Sequence, residues 1–278
     1  MVMNRFVVMC ALLGALFVGS TSTVLGDEKS LEIGVLPNVS ARQLMIQYEP
    51  MQQFLSKALG RKAAFSSAPD WPTFYQRVKQ GDYQVVVAAS NVARLIEKDL
   101  GYRPILAYQP RIPALFVTAA GPTPPLGELL KGTGVGLANP ASLVAFEGLR
   151  WLEGQNLRGF KIFRVRGEDS VGNAILRGDA AAGIMSMGEF RSHPAEIRER
   201  LKIHTQIKDV PSFIILVAPG LPVAQANQLR AELLIFASQS DEGRQFFERS
   251  GFKAIVPVDE SELASLDVFV EATRNALK

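Results

Sequence analysis

Residues 31–89 read LEIGVLPNVSARQLMIQYEPMQQFLSKALGRKAAFSSAPDWPTFYQRVKQGDYQVVVAA, and their hydrophobic spacing changes period four times. Residues 31–36 form a short apolar run suited to a buried strand. Over residues 41–59 the apolar positions Leu44, Met45, Tyr48, Met51, Phe54, Leu55 and Ala58 recur at helical spacing, and Gly60 ends the pattern. Residues 63–67 can form a second strand. Residues 71–79 then predict a second helix, with Asp70 as its N-cap and Pro72 in its first turn. Gly81-Asp82 turns the chain into a valine-rich third strand at residues 83–89. A strand–helix–strand–helix–strand rhythm predicts a mostly parallel sheet flanked by helices, the α/β class.

The same rhythm returns downstream. Strands are expected at residues 114–118, 134–138, 160–165 and 180–185, and helices at 143–153 and 170–176. Gly121 to Pro125 makes a rigid turn, and Asn139-Pro140-Ala141-Ser142 leads into the first of these helices. After His193-Pro194 the chain returns through a strongly apolar strand at 213–218, then closes with helices at 222–238, 241–250 and 260–276. Two units with a late return predict a double crossing near Ile112 and Phe213, which is how a hinge between two lobes is built. The expected division is residues 27–112 with 213–278 in one lobe and 113–212 in the other.

Upstream, residues 1–26 have the order of a secretory signal peptide. One positive charge precedes an unbroken apolar run at 6–19, and a small, polar-leaning stretch follows up to Gly26. The run is short for a membrane span, which argues against an uncleaved anchor. The mature chain is expected to start near Asp27 and to work in the periplasm as a monomer. Cys10, the single cysteine, lies inside the apolar run with no lipoprotein box around it. The mature protein is therefore expected to have neither a disulfide nor a cysteine-based metal site.

Composition narrows the function classes. At 47% hydrophobic the chain can build a large core, and a net charge of +3 is mild. The basic stretches at 158–166 and 191–200 carry interleaved acids in the second case and read as solvated faces, so nucleic acid is not an expected partner. No phosphate-cradling glycine loop, His-x-x-x-His pair or Gly-x-Ser-x-Gly elbow occurs, which argues against an enzyme. His193 and His204 sit among charged residues and read as surface side chains. Met185 and Met187 could suggest soft-metal binding, but alternation on a strand reads as packing, so neither metal nor cofactor is expected. Trp151 lies at core spacing inside a helix.

Several stretches together resemble the substrate-binding components of phosphate, phosphite and phosphonate transporters, of the type II periplasmic fold. They are Ile33-Gly34-Val35-Leu36-Pro37, Tyr48-Glu49-Pro50-Met51 through Leu59-Gly60, Ala68-Pro69-Asp70-Trp71, and Gly136 through Ser142. Asp241-Glu242-Gly243-Arg244 and Gly251 through Asp259 complete the set. The resemblance implies two α/β lobes with a small-molecule ligand in the cleft between them and a membrane transporter component as partner.

At the ligand positions the resemblance breaks. The family places hydroxyls and helix N-terminal amides around an anion; here that stretch is Ser142-Leu143-Val144-Ala145, with one hydroxyl left. An acid of the family aligns with Ala181, with Asp179 as a shifted substitute, and another acid aligns with Phe213. An aromatic hydroxyl becomes Ile112, and a tyrosine becomes Trp71. Gln84 replaces a further acid at a position that is usually structural. Burying an anion beside such side chains is costly. The expectation is therefore an apolar cleft lined by Trp71, Ile112, Leu143, Val144 and Phe213, with Asn139 and Ser142 orienting one hydroxyl of a lipid, plausibly a sterol. This pattern resembles the bacterial periplasmic sterol-binding branch of the same fold. The alternative is an oxyanion held by Ser142, the amides around it, and Arg111 or Arg166.

Overall fold

The computed structural model describes residues 30–157, 159–165 and 170–278; the signal-like segment and Arg166 lie outside these. The first unit runs β1 (Leu31–Val35), α1 (Ala41–Ala58), β2 (Ala63–Ser66), α2 (Trp71–Gln80), β3 (Val85–Ala89), α3 (Ser90–Leu100) and β4 (Arg103–Gln109). The second runs β5 (Ile112–Ala119), α4 (Leu126–Leu129), β6 (Gly134–Leu137), α5 (Leu143–Gly154), β7 (Lys161–Arg164), α6 (Ser170–Arg177), β8 (Ala182–Ser186), α7 (Met187–Ser192), α8 (Ala195–Arg198) and β9 (Leu201–Val210). The chain returns through β10 (Phe213–Val217), α9 (Val223–Gln239), α10 (Asp241–Ser250) and β11 (Ala254–Val256). It ends in α11 (Glu260–Ala264), a 3-10 turn (Ser265–Phe269) and α12 (Val270–Ala276).

Two sheets result, with orders β11-β4-β10-β3-β1-β2 and β7-β6-β8-β5-β9. Apart from β11 the orders correspond strand for strand. In each sheet one strand lies between two parallel partners, β1 between β2 and β3 and β6 between β7 and β8. Each also holds reversed strands: β10 and the edge strand β11 are antiparallel to β4, β10 also to β3, and β5 is antiparallel to β8 and β9. The expectation of mostly parallel sheets is corrected to mixed sheets at these strands. The cause is the crossing: β5 and β10 are the strands by which the chain enters each sheet from the other one.

Local chemistry explains the helices that the spacing predicts. Ser40 caps α1 in a capping box with Gln43, and the helix buries Leu44, Tyr48, Met51 and Leu55 while Met45 faces solvent. The Asp70 carboxylate accepts from the Thr73 amide at 2.8 Å, and hydrogen bonding from the Thr73 side chain and amide holds its pKa below the ordinary value. Gly81 closes α2 in the left-handed conformation, with φ of 79°. In β1, a Cβ on Gly34 would stand 2.4 Å from the Tyr83 ring, so glycine is what lets β1 and that ring approach.

Several elements depart from the sequence expectation, which names none of α3, β4, β9 and β11. Both α3 and β9 go beyond the expected set: Ser90 through Ile96 of α3 are all buried, and β9 is an edge strand paired only with β5. The expected single helix at 260–276 is broken into α11, a 3-10 turn and α12. His193 is also corrected from surface to core, at 2% exposed. Its Nδ1 lies 2.7 Å from the Glu189 carbonyl, and its Nε2 accepts from the Gly172 amide at 3.2 Å. Both contacts are met by a neutral ring with the proton on Nδ1. His204 is half-buried, edge-on to Phe116.

Candidate ligand-binding site

In open α/β sheets a ligand crevice forms at the carboxyl ends of the strands, where the strand order reverses. Here that happens twice, between β1 and β3 and between β6 and β8. The segments at these ends are residues 36–40, the start of α3 at Ser90-Asn91, residues 138–142, and the start of α7 after Ser186. The crossings at residues 110–111 and 211–212 lie beside them.

The turn before α5 is tightly bonded. Asn139 Oδ1 accepts from the Ala141 amide at 2.9 Å, and Ser142 Oγ donates to the Asn139 carbonyl at 2.9 Å. The same hydroxyl caps the helix by accepting from the Ala145 amide at 3.1 Å. The polar side chains expected to orient a ligand hydroxyl are thus engaged in building the turn. The amides of Leu143 and Val144 fall in the first turn, where a helix supplies no acceptor. The partial positive charge of the helix end adds to them.

The five apolar candidates do not come together as one wall. Trp71, at 8% exposed, packs in the first lobe and donates its Nε1–H to the Pro37 carbonyl at 3.0 Å. Phe213 belongs to the same core and meets Phe252 edge-on at 5.9 Å. Leu143 and Val144 are buried in the second lobe's core with Phe269. Of the five, Ile112 packs against both core clusters, as its place on the crossing requires. At 143 and 144 the apolar side chains are therefore buried in a core that also takes in Phe269 of the C-terminal segment, and the main-chain amides are left at the helix end.

The acidic and basic candidates are tied down. Asp179 is exposed and pairs with Arg177 at 2.8 Å, away from the strand ends. Gln84 accepts from the Glu32 amide, a structural contact. Arg111 is ion-paired with Glu262 and donates to the Asp209 carbonyl. Glu189 completes a capping box with Ser186 at the start of α7, and burial pushes its carboxyl pKa up against the lowering effect of those bonds.

Sequence reasoning missed the polar group that joins the lobes. Asn91, fully buried, donates from Nδ2 to the Ala141 carbonyl at 2.8 Å and to Thr273 Oγ1 at 2.9 Å. Ser90 donates to the Pro211 carbonyl at 2.9 Å. Asn91 Oδ1 and Ser212 Oγ are buried without a hydrogen-bond partner. The available signal was Ser90-Asn91 directly after an apolar strand, a common way for a helix to begin.

Comparison with known proteins agrees with this architecture. PhnD1 from Prochlorococcus marinus in complex with methylphosphonate superposes with a TM-score of 0.77 at 12% identity, covering 89% of this chain and 99% of that one. A binding protein component of an ABC phosphonate transporter from Pseudomonas aeruginosa gives 0.75 at 15% identity, covering 90% and 89%. A protein of Xanthomonas citri bound to ATP gives 0.72 at 20% identity, covering 90% and 99%. At these identities the likeness is one of fold. A search among curated proteins finds no significant match. The profile of the family described as "ABC transporter, phosphonate, periplasmic substrate-binding protein" matches residues 33–263. That span takes in both sheets and both crossings, so the chain belongs to the periplasmic substrate-binding proteins of phosphonate ABC transporters.

Proposed function

We propose that the protein delivers a small oxyanion of the phosphonate class to its membrane transporter, holding the anion at the first turn of α5. The observation that supports this most is the orientation at positions 143 and 144. Their side chains are buried, so losing two hydroxyls there leaves the anion-binding amides in place. Family membership and the methylphosphonate held by one structural relative point the same way. This favours the oxyanion alternative over the lipid expectation.

A second reading, a neutral or weakly polar lipid such as a sterol, is favoured by Ile112 and Phe213. They place apolar groups at the crossings where the family resemblance implies a hydroxyl and an acid. Calorimetric titration with methylphosphonate, phosphite, phosphate and a sterol separates the two. Micromolar binding of an oxyanion without sterol binding supports the first reading; sterol binding without oxyanion binding overturns it.

A further inference from the structure

The segment from α11 to α12 touches both lobes, and the change of side falls between two successive residues. Leu263, Leu266 and Phe269 are buried in the cluster that holds Leu143 and Val144 of α5. Val270 and Leu277 are buried instead in the core of the first lobe. The 3-10 turn makes this division possible, because residues three apart on it, Leu266 and Phe269, fall on one face. Val268 points elsewhere and is 71% exposed.

Each side is held by specific contacts. The Phe269 ring stacks on Phe146 of α5 at 5.9 Å with 3° between the planes, and the Arg150 guanidinium lies 5.3 Å from the centre of the Phe269 ring. On the first lobe, Asp267 pairs with Arg94 of α3 at 2.6 Å, Thr273 accepts from Asn91 at 2.9 Å, and Arg274 pairs with Asp99 at 2.6 Å. The chain that enters the segment comes from β11 of the first sheet, and the chain that leaves it is α12 in the first lobe's core. Unlike the two crossings, this segment is therefore a loop of the first lobe laid over the second.

We infer that this segment is a clasp: it holds the lobes shut without ligand, and its release from α5 sets how fast ligand enters and leaves. Separating the lobes carries α5 away from α3. The segment is tied to the first lobe at both ends, so what must give is the seat of Leu263, Leu266 and Phe269 on the second. Each of these side chains is 6% exposed or less, and uncovering them is opposed in proportion to the apolar area released. The same contact is lost whether the crevice is empty or filled. The clasp therefore slows opening of both forms alike and acts on rates rather than on affinity.

The inference takes only its probe, methylphosphonate, from the proposed function. Phe269→Ala removes one ring of the stack. Phe146→Ala, at a half-buried site, removes the other with less disturbance of the core. In stopped-flow mixing with methylphosphonate, each should raise the association and dissociation rates about tenfold, the effect of an aromatic pair, and change Kd less than about threefold. X-ray scattering of the ligand-free variants should give a larger radius of gyration than the parent protein. Leu55→Ala, in α1 of the first lobe, is the control: it lowers the melting temperature by opening a core cavity and should change neither rates nor scattering. Unchanged scattering of both ring variants, unchanged rates in a protein that binds methylphosphonate, or the same changes in Leu55→Ala overturn the proposal. A protein that does not bind methylphosphonate fails the oxyanion reading, and scattering then decides the clasp.

Discussion

The Asn91 side-chain amide donates to the Ala141 main-chain carbonyl at 2.8 Å, and this one bond links the start of α3 in the first lobe to the turn before α5 in the second. Because Ala141 is also part of the first lobe's apolar core, the contact is both polar and packed.

Removing it should favour separated lobes. Asn91→Ala leaves the Ala141 carbonyl and Thr273 Oγ1 without their donor in a buried place, a cost of about 1–3 kcal/mol. The radius of gyration of the ligand-free variant, measured by X-ray scattering, should exceed that of the parent protein. Identical scattering profiles would show that the bond does not hold the lobes together.

The α5 turn separates stability from binding. Ser142→Ala removes a cap bonded to Ala145 and should cost about 1 kcal/mol in urea unfolding. Methylphosphonate affinity should fall as well, because the turn that presents the amides loosens. By contrast, Leu143→Asp and Phe213→Asp place a carboxylate at positions 3% and 7% exposed, so unfolding should be shifted by several kcal/mol. A melting temperature for either variant close to that of the parent would contradict the packing described above.

Gly172 and His193 should behave as a coupled pair. A Cβ at 172 would lie 2.4 Å from the imidazole ring, so Gly172→Ala should destabilise by about 1–3 kcal/mol. In the His193→Ala background, which has room for that methyl, the same substitution should cost far less. Urea midpoints for the four proteins of the cycle give the coupling directly. Additive costs would place the ring elsewhere.

Acid should act on the C-terminal segment. Hydrogen bonding from Arg274 lowers the pKa of Asp99, and hydrogen bonding from Arg94 lowers that of Asp267. A carboxyl with a depressed folded-state pKa stabilises the fold above its unfolded value and loses that contribution as pH falls through the folded one. Stability should therefore decline below the ordinary carboxylate range, and Arg274→Met should make the decline shallower. Urea midpoints between neutral and strongly acidic pH measure both slopes; parallel slopes would exclude the Asp99 pairing as a contributor.

Periodic elements with clear ends were legible in the sequence: α1 between Ser40 and Gly60, α2 between Asp70 and Gly81, and the valine-rich β3. The elements passed over, α3 and β9, are set apart by their burial. Seven successive residues of α3 are buried, the polar Ser90, Asn91 and Arg94 among them. The exposed, half-paired β9 reads as loop. His193 misled for a related reason, since its charged neighbours in sequence face solvent while the ring turns under Gly172. At the candidate site the residue types were readable but their directions were not. Leu143 and Val144 suggested a greasy wall, whereas both are buried in a core shared with Phe269.

The insertion of β10 between β3 and β4 has a consequence for the order in which the protein can assemble. Every strand of the second sheet comes from one continuous stretch, 112–210, so that sheet has all its pairing partners once that stretch is available. The first sheet does not. The neighbours of β4 are β10 and β11, which lie more than a hundred residues further along the chain, and β3 lacks its outer neighbour until β10 arrives. In a chain emerging N-terminus first, the half that begins earlier must wait with an open edge while the half that begins later closes. An unpaired, apolar β3 edge during that interval is where association with another chain is most readily nucleated.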